Sequence, residues 1–392
     1  MVAHRIARLI KALIVTTCFL QGFTAQAQLS AALRYKTKHA DTTSTGSFEA
    51  DYVYPTIALN NASVNVANRA TLDEAPIDFA ENHLTDRQER KKLMGYLKEL
   101  SANNAQINYN QARVKVYYKL ANVFARLRLY PLAMKCFFKT MQYREGELPV
   151  KNQPIPVALN DTAADTSGQG VSIGNNYLAI NAKDDSLFVN DANLPVANKS
   201  TEKSKAINYQ RIINTFNDGK KAAAYALLFH VKQPVAGKPK VFKLTNTGHT
   251  FITLIKYNTD STSVSISFGF YPQKDNLFSA TPLDPSCSGT FKNDNAHQWD
   301  EVMGKFISKR RFEKILALTK SYDGVEYHLS KNNCTDFALK AAAFAGFGVT
   351  NSKDSWPLGH GNNPGTTGQS IIDGKVHNSE SVENLFVDYQ IK

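Results

Sequence analysis

Cys334 sits in Lys331-Asn332-Asn333-Cys334-Thr335-Asp336-Phe337-Ala338-Leu339, where the pattern predicts a helix start. Phe337, Ala338, Ala341, Ala342 and Ala345 recur at helical spacing, Asn332 or Asn333 can cap, and Gly346 and Gly348 can end the helix. A thiol at a helix N-terminus faces the positive end of the macrodipole and unpaired backbone N–H groups. These favour the thiolate and can hold an oxyanion. Asp336, in the same first turn, suits the helix but opposes a thiolate. Nucleophilic chemistry at Cys334 therefore requires a basic partner.

His249 is the candidate base. It opens His249-Thr250-Phe251-Ile252-Thr253-Leu254-Ile255-Lys256-Tyr257, a run of β-branched and aromatic residues with strand alternation. Residues 258–262 read as a turn and 263–271 as the returning strand, which sets His249 opposite residues 269–272. Around this pair the pattern predicts a helix carrying Ile207, Ile212, Ile213 and Phe216, then a buried strand over 224–231. Further on it predicts a strand near 289–291, a helix through Phe312, Ile315, Leu316 and Leu318, and a short strand at 326–329. The segment around Trp299, Asp300, Glu301 and Val302 fits no period, and residues 356–365 are turn formers that read either as a lid or as a surface loop.

A strand His followed in sequence by a Cys at a helix start, with Gly-His-Thr-Phe-Ile, Phe-Gly-Phe-Tyr-Pro and Asn-Asn-Cys-Thr-Asp-Phe, resembles the circularly permuted papain-like enzymes. These are related to the NlpC-type cell-wall peptidases and the lecithin:retinol acyltransferases. The resemblance covers residues 205–392 and implies an α+β fold in which an antiparallel sheet packs on the Cys-bearing helix, with Cys334 as nucleophile and His249 as general base. The returning strand lacks the His, Asn, Gln or Glu with which relatives orient the His. Tyr271 is the candidate for that third position, with His297, His328, Asp294, a backbone carbonyl or water as alternatives.

The rest of the chain divides by composition. Residues 1–27 read as a secretory signal, with Arg5, Arg8 and Lys11 before an apolar run and Ala25-Gln26-Ala27 as the cleavage site. Residues 28–81 are a polar leader, and residues 82–147 an all-α region. In the latter, Tyr117, Leu120, Ala121, Phe124, Ala133 and Phe137 match one tetratricopeptide-like hairpin, fewer than the about three repeats such arrays need. A helical hairpin packed on its neighbours is the first reading and a protein-binding surface the second. Residues 148–204 are rich in Asn and Asp and read as a linker or long loop.

The 392 residues carry a formal net charge of +12 with pI about 9.3, but Lys and Arg are scattered, which describes a solvated surface rather than a nucleic-acid face. No apolar run after the signal is long enough to span a bilayer. Loss of Cys18 with the signal leaves Cys136, Cys287 and Cys334, an odd number. At least one thiol stays free, although a disulfide from Cys334 to either of the others would abolish the nucleophile. No metal site or cofactor is expected, since no cysteine pair or His cluster has ligand spacing.

These features lead to three expectations. The first is an exported, periplasmic or extracellular Cys-His hydrolase that cleaves amide bonds of cell-wall peptide or protein through a thioester. The second is an acyltransferase or esterase acting on lipid acyl groups, and the third an inactive exported binding or scaffold protein.

Overall fold

The structure is a computed structural model. It describes residues 77–78, 86–102, 110–144, 155–156, 172–173, 178–180, 184, 204–243, 246–274, 276, 279–281, 283–356 and 359–390. The expected signal at 1–27, and most of the expected leader 28–81 and of 148–204, lie outside the described residues.

Helices α1 (Arg87–Ala102), α2 (Asn110–Arg126) and α3 (Tyr130–Arg144) precede a mixed region. That region runs β1 (Ala206–Ile207), α4 (Tyr209–Phe216), β2 (Ala222–Lys232), β3 (His249–Asn258), β4 (Ser263–Pro272), β5 (Ser286–Asn293) and β6 (Glu301–Ile307). After it come α5 (Lys309–Ser321), β7 (Glu326–His328), α6 (Cys334–Ala345), β8 (Phe347–Val349), β9 (Lys353–Trp356), β10 (Gly359–Asn362), α7 (Pro364–Ile372), β11 (Val376–Asn378) and β12 (Phe386–Tyr389). The class is α+β. The main sheet has the order β12-β6-β2-β3-β4-β5-β1, with β7 also on β5, and every pairing in it is antiparallel.

Two apolar layers follow from strand alternation. Ala224, Ala226 and Leu228 of β2, Phe251, Ile255 and Tyr257 of β3, and Val302 and Phe306 of β6 pack with the α1–α3 side chains. Leu227, Phe229 and Val231, Ile252 and Leu254, and Met303 and Ile307 point the other way, onto Phe337, Ala338, Ala341, Ala342 and Ala345 of α6. The small residues of α6 let its backbone come close to the sheet. All ten residues of β3 are buried, because helices cover it on both faces.

The structure places several stretches that the sequence pattern left open. The unassigned segment at 299–302 leads into β6, a strand inside the sheet. Within the turn-former stretch and just before it, Lys353–Trp356 and Gly359–Asn362 pair as β9 and β10, and Asn363 then caps α7. Within 148–204, Leu178 is fully buried with the helices and Asp184 pairs with buried Lys135 at 2.9 Å. Cys136, Cys287 and Cys334 form no disulfide with one another, so neither disulfide alternative forms.

Candidate active site

Asn333 caps α6. Its side chain accepts from the backbone N–H groups of Thr335 (2.8 Å) and Asp336 (3.1 Å), while Asp336 accepts from the Asn333 N–H at 2.9 Å. This reciprocal box fixes Cys334 at the first helical position, 6 % exposed. The other Asp336 oxygen accepts from the Asn362 side chain of β10 at 2.6 Å. The carboxylate that was expected to oppose a thiolate is thereby engaged in the cap.

His249 starts β3. That strand pairs with β2 along its length but with β4 only from Ile252 to Tyr257, so β3 and β4 are unpaired at the His249 end. At this end Thr250 and Thr335 share a buried hydroxyl–hydroxyl hydrogen bond of 3.1 Å, which ties the His strand to the Cys helix. His249 lies beside the Cys334 thiol, whose other neighbours are the Thr250 backbone N–H and the Thr335 hydroxyl, the latter at 3.9 Å.

The far side of the ring is held by Asp294. His249 Nε2 lies 3.1 Å from its Oδ2 in a pair almost without solvent exposure. With Nε2 on the carboxylate, Nδ1 is the nitrogen left for the thiol. Asp294 Oδ1 accepts from the Tyr271 hydroxyl at 2.6 Å and from Ser204 at 2.8 Å. Tyr271 therefore stands one step further out than expected. Its ring packs on the imidazole with centroids 4.1 Å apart, and its hydroxyl orients Asp294 rather than His249. Of the alternatives, His297 lies beside His249 with ring centroids 5.0 Å apart, and His328 accepts the Ser330 N–H in the loop before α6.

Two glycines make room for this arrangement. A methyl group on Gly269 would sit 2.5 Å from His249 Nε2 and 2.8 Å from Asp294 Oδ2. Gly248 has φ of +71°, and a side chain there would strike the Lys232 carbonyl.

The charges follow from these contacts. Burial disfavours the charged form of His249, but the Asp294 charge and hydrogen bond, with Cys334, outweigh it and raise the imidazole to about 9. Burial pushes the Cys334 thiol up, and the His249 hydrogen bond and charge, the Thr250 N–H and the Thr335 hydroxyl bring it below its ordinary value. Asp294 is likewise held low against burial, by the charge and hydrogen bond of His249. Burial, then the His249 charge, lower His297 to about 4, so it stays neutral beside the charged ring. Both shifts favour a thiolate–imidazolium pair, with a carboxylate behind it.

Sequence reasoning missed Tyr327 of β7. It is buried beside Cys334, and burial together with the Cys334 charge keep its hydroxyl protonated. Asp294 was one alternative among several because β5 had not been paired. The register Phe268↔Asn293 and the bond from the Asp294 N–H to the Ser267 carbonyl (2.8 Å) carry it to the His249 end of the sheet.

Among the described residues no group of His, Cys, Asp and Glu could hold a metal ion, and no helix is long and apolar enough to cross a membrane. Comparison of the chain with protein-family models, with curated proteins and with solved structures gives no match.

Proposed function

We propose that this chain is a papain-like cysteine hydrolase of the permuted type that cleaves amide bonds through a thioester on Cys334. The observation that carries the reading is the buried Cys334–His249 pair with Asp294 behind the imidazole. The order of a His strand before a Cys helix, on an antiparallel sheet with the helix against one face, supports the permuted family.

In the proposed reaction the Cys334 thiolate attacks the substrate carbonyl carbon and the C=O electron pair moves onto oxygen. The Cys334 N–H, at the start of the helix, is one donor for that oxyanion, and the protonated Tyr327 hydroxyl beside Cys334 can serve as a second. His249, protonated and held by Asp294, gives its proton to the departing amine as the C–N bond breaks, leaving the acyl thioester. Water, deprotonated by the now neutral His249, attacks the thioester and releases the acid and the thiol. Peptide bonds of a cell wall or of extracellular proteins are the substrate class that fits the expected export.

Alkylation of Cys334 by iodoacetamide tests the reading, followed against pH by mass spectrometry in the parent protein and in His249→Ala. An activated pair gives fast labelling that persists well below the ordinary thiol pKa of about 8.5 and collapses in the variant. Slow labelling, indifferent to His249, would refute the assignment.

A further inference from the structure

A second set of polar groups lies away from Cys334, on the face of the sheet covered by the helices. The α2–α3 turn, the end of β2, the approach to β6 and the end of β12 enclose a cavity of about 230 Å³, lined by Arg126, Arg128, Lys232, Trp299, Asp300 and Gln390 among others. Neither Cys334 nor His249 lines it. The lining comes from four segments far apart in sequence, so the cavity forms only when the helices are packed on the sheet.

Its charges do not balance. Asp300 is the one lining carboxylate, and both its oxygens are taken, Oδ1 by Lys232 at 2.5 Å and Oδ2 by the Gln233 N–H at 2.8 Å. Arg126 makes a two-point contact with Asp388 at 3.1 and 3.2 Å. Arg128 is half-buried, and among the described residues its guanidinium has no hydrogen-bond or ion-pair partner. Burial lowers its pKa, and Tyr130 is the one group acting the other way. The lining therefore carries one uncompensated positive charge whose N–H donors are unused. A partly desolvated guanidinium without an anion is costly.

The backbone holds that guanidinium where it is. The Arg128 N–H donates to the Ala125 carbonyl and the Leu129 N–H to the Phe124 carbonyl, both at 2.9 Å, the paired bonds of a Schellman motif closing α2. Arg128 takes the left-handed position of that motif, φ +59°, where glycine is favoured. A long cationic side chain at a place that glycine would fill without strain points to a use for the side chain. Trp299, almost wholly buried, adds a flat apolar wall to the same cavity.

From these observations we infer that the Arg128 cavity is a binding site, separate from the Cys334 centre, for a small monocarboxylate with a flat apolar body. The guanidinium fork takes the two carboxylate oxygens, and Trp299 takes the body. One uncompensated positive charge matches a monoanion better than a dianionic phosphate. A cavity of about 230 Å³, below the ~300–1,000 Å³ usual for drug-sized ligands, sets the size. Because the lining joins helices to sheet, a ligand held there binds only the folded chain and raises its stability.

The probes are benzoate, its neutral counterpart benzamide, and phenyl phosphate. Each is titrated calorimetrically, and melting is followed with and without it, in the parent, Arg128→Gln, Arg128→Gly and the exposed-charge control Lys309→Gln. Benzoate should bind the parent at least about tenfold more tightly than benzamide, the ratio one charge-assisted hydrogen bond supplies, and should raise its melting temperature. Both effects should vanish in the two Arg128 variants and persist in Lys309→Gln. Arg128→Gly, relieved of the left-handed side chain, should melt without ligand no lower than the parent, so lost binding there is not unfolding. Cys334→Ala should bind benzoate as the parent does, which keeps the result independent of the hydrolase reading. The inference is overturned if benzoate shows neither heat nor melting shift up to ~10 mM, or binds no better than benzamide. Binding that survives replacement of Arg128, that is lost in Cys334→Ala, or that is tighter for phenyl phosphate than for benzoate overturns it as well.

Discussion

At the scale of single residues, the thiolate depends on a charge two contacts away. Asp294 touches His249, and His249 touches Cys334, so the carboxylate acts on sulfur only through the ring. Asp294→Asn keeps the shape and removes the charge. The imidazole then loses the main influence that outweighs its burial, and its pKa falls from about 9. We expect the acidic limb of Cys334 alkylation to move up toward ~8.5 and turnover of an amide substrate to drop by on the order of 10²-fold or more. Stability gives a second readout. A His whose folded pKa is raised contributes stability that is complete below its unfolded value near 6.5 and is lost as pH rises through about 9. Urea midpoints measured from pH 6 to 10 should show that alkaline loss in the parent and a flatter profile in Asp294→Asn; an unchanged profile would deny Asp294 its role. Cys334 and His249 were legible in the sequence because each sits at the start of a strongly patterned element. Asp294 and Tyr327 were not, because each acts from an element whose pairing partner the pattern does not name.

At the scale of elements, the nucleophile is held by a helix end that a distant hairpin braces. Asn333 donates to the Leu329 carbonyl and to the Asn362 carbonyl of β10, and Asn362 returns a hydrogen bond to Asp336. The contact is close enough that a side chain on Gly361 would collide with the Ser330 carbonyl. Because Asn362 holds Asp336 in the cap, Asn362→Ala leaves that carboxylate short of one partner while the Asn333 bonds remain. We expect a stability loss of ~1 kcal/mol, with a slower Cys334 alkylation at pH 6 as the anion regains influence on the thiolate. Equal alkylation rates in the two proteins, with the stability loss present, would confine the hairpin to a structural role. The helix, its cap and its glycine stop could be read from spacing alone. The bracing strands could not: β9 and β10 are four residues each, too short for alternation to stand out, and the turn formers around them read equally well as a loop.

At the scale of the whole molecule, the helices and the sheet share one core. Phe137 is fully buried against Tyr118 and Phe386, Phe138 against Phe306, and Tyr130 against His230, which itself stacks on Phe251. Polar ties cross the same boundary: the Tyr257 hydroxyl donates to the Pro131 carbonyl at 2.8 Å and the Tyr118 hydroxyl to the Val387 carbonyl at 2.7 Å. The helical spacing of Tyr117, Leu120, Phe124 and Phe137 was plain in the sequence, but the surface it buries is the sheet, and that choice depends on strands more than eighty residues away. Likewise Leu178 and Asp184 carry no pattern of their own, since single buried residues in a polar stretch have no period. A shared core makes a definite claim about cooperativity. Phe137→Ala should cost ~3–5 kcal/mol, and that cost should appear at the thiol as well as in the helices. Urea unfolding followed in parallel by far-ultraviolet circular dichroism and by pulse alkylation of Cys334 should shift by the same amount with both probes. If the helices were a separately stable module, the dichroism would split into two transitions and Cys334 would stay protected at the urea concentration that protects it in the parent. Coincident curves would mean that α1–α3 are part of what holds His249 and Cys334 together, and that the face they lay on the sheet is unavailable to any partner.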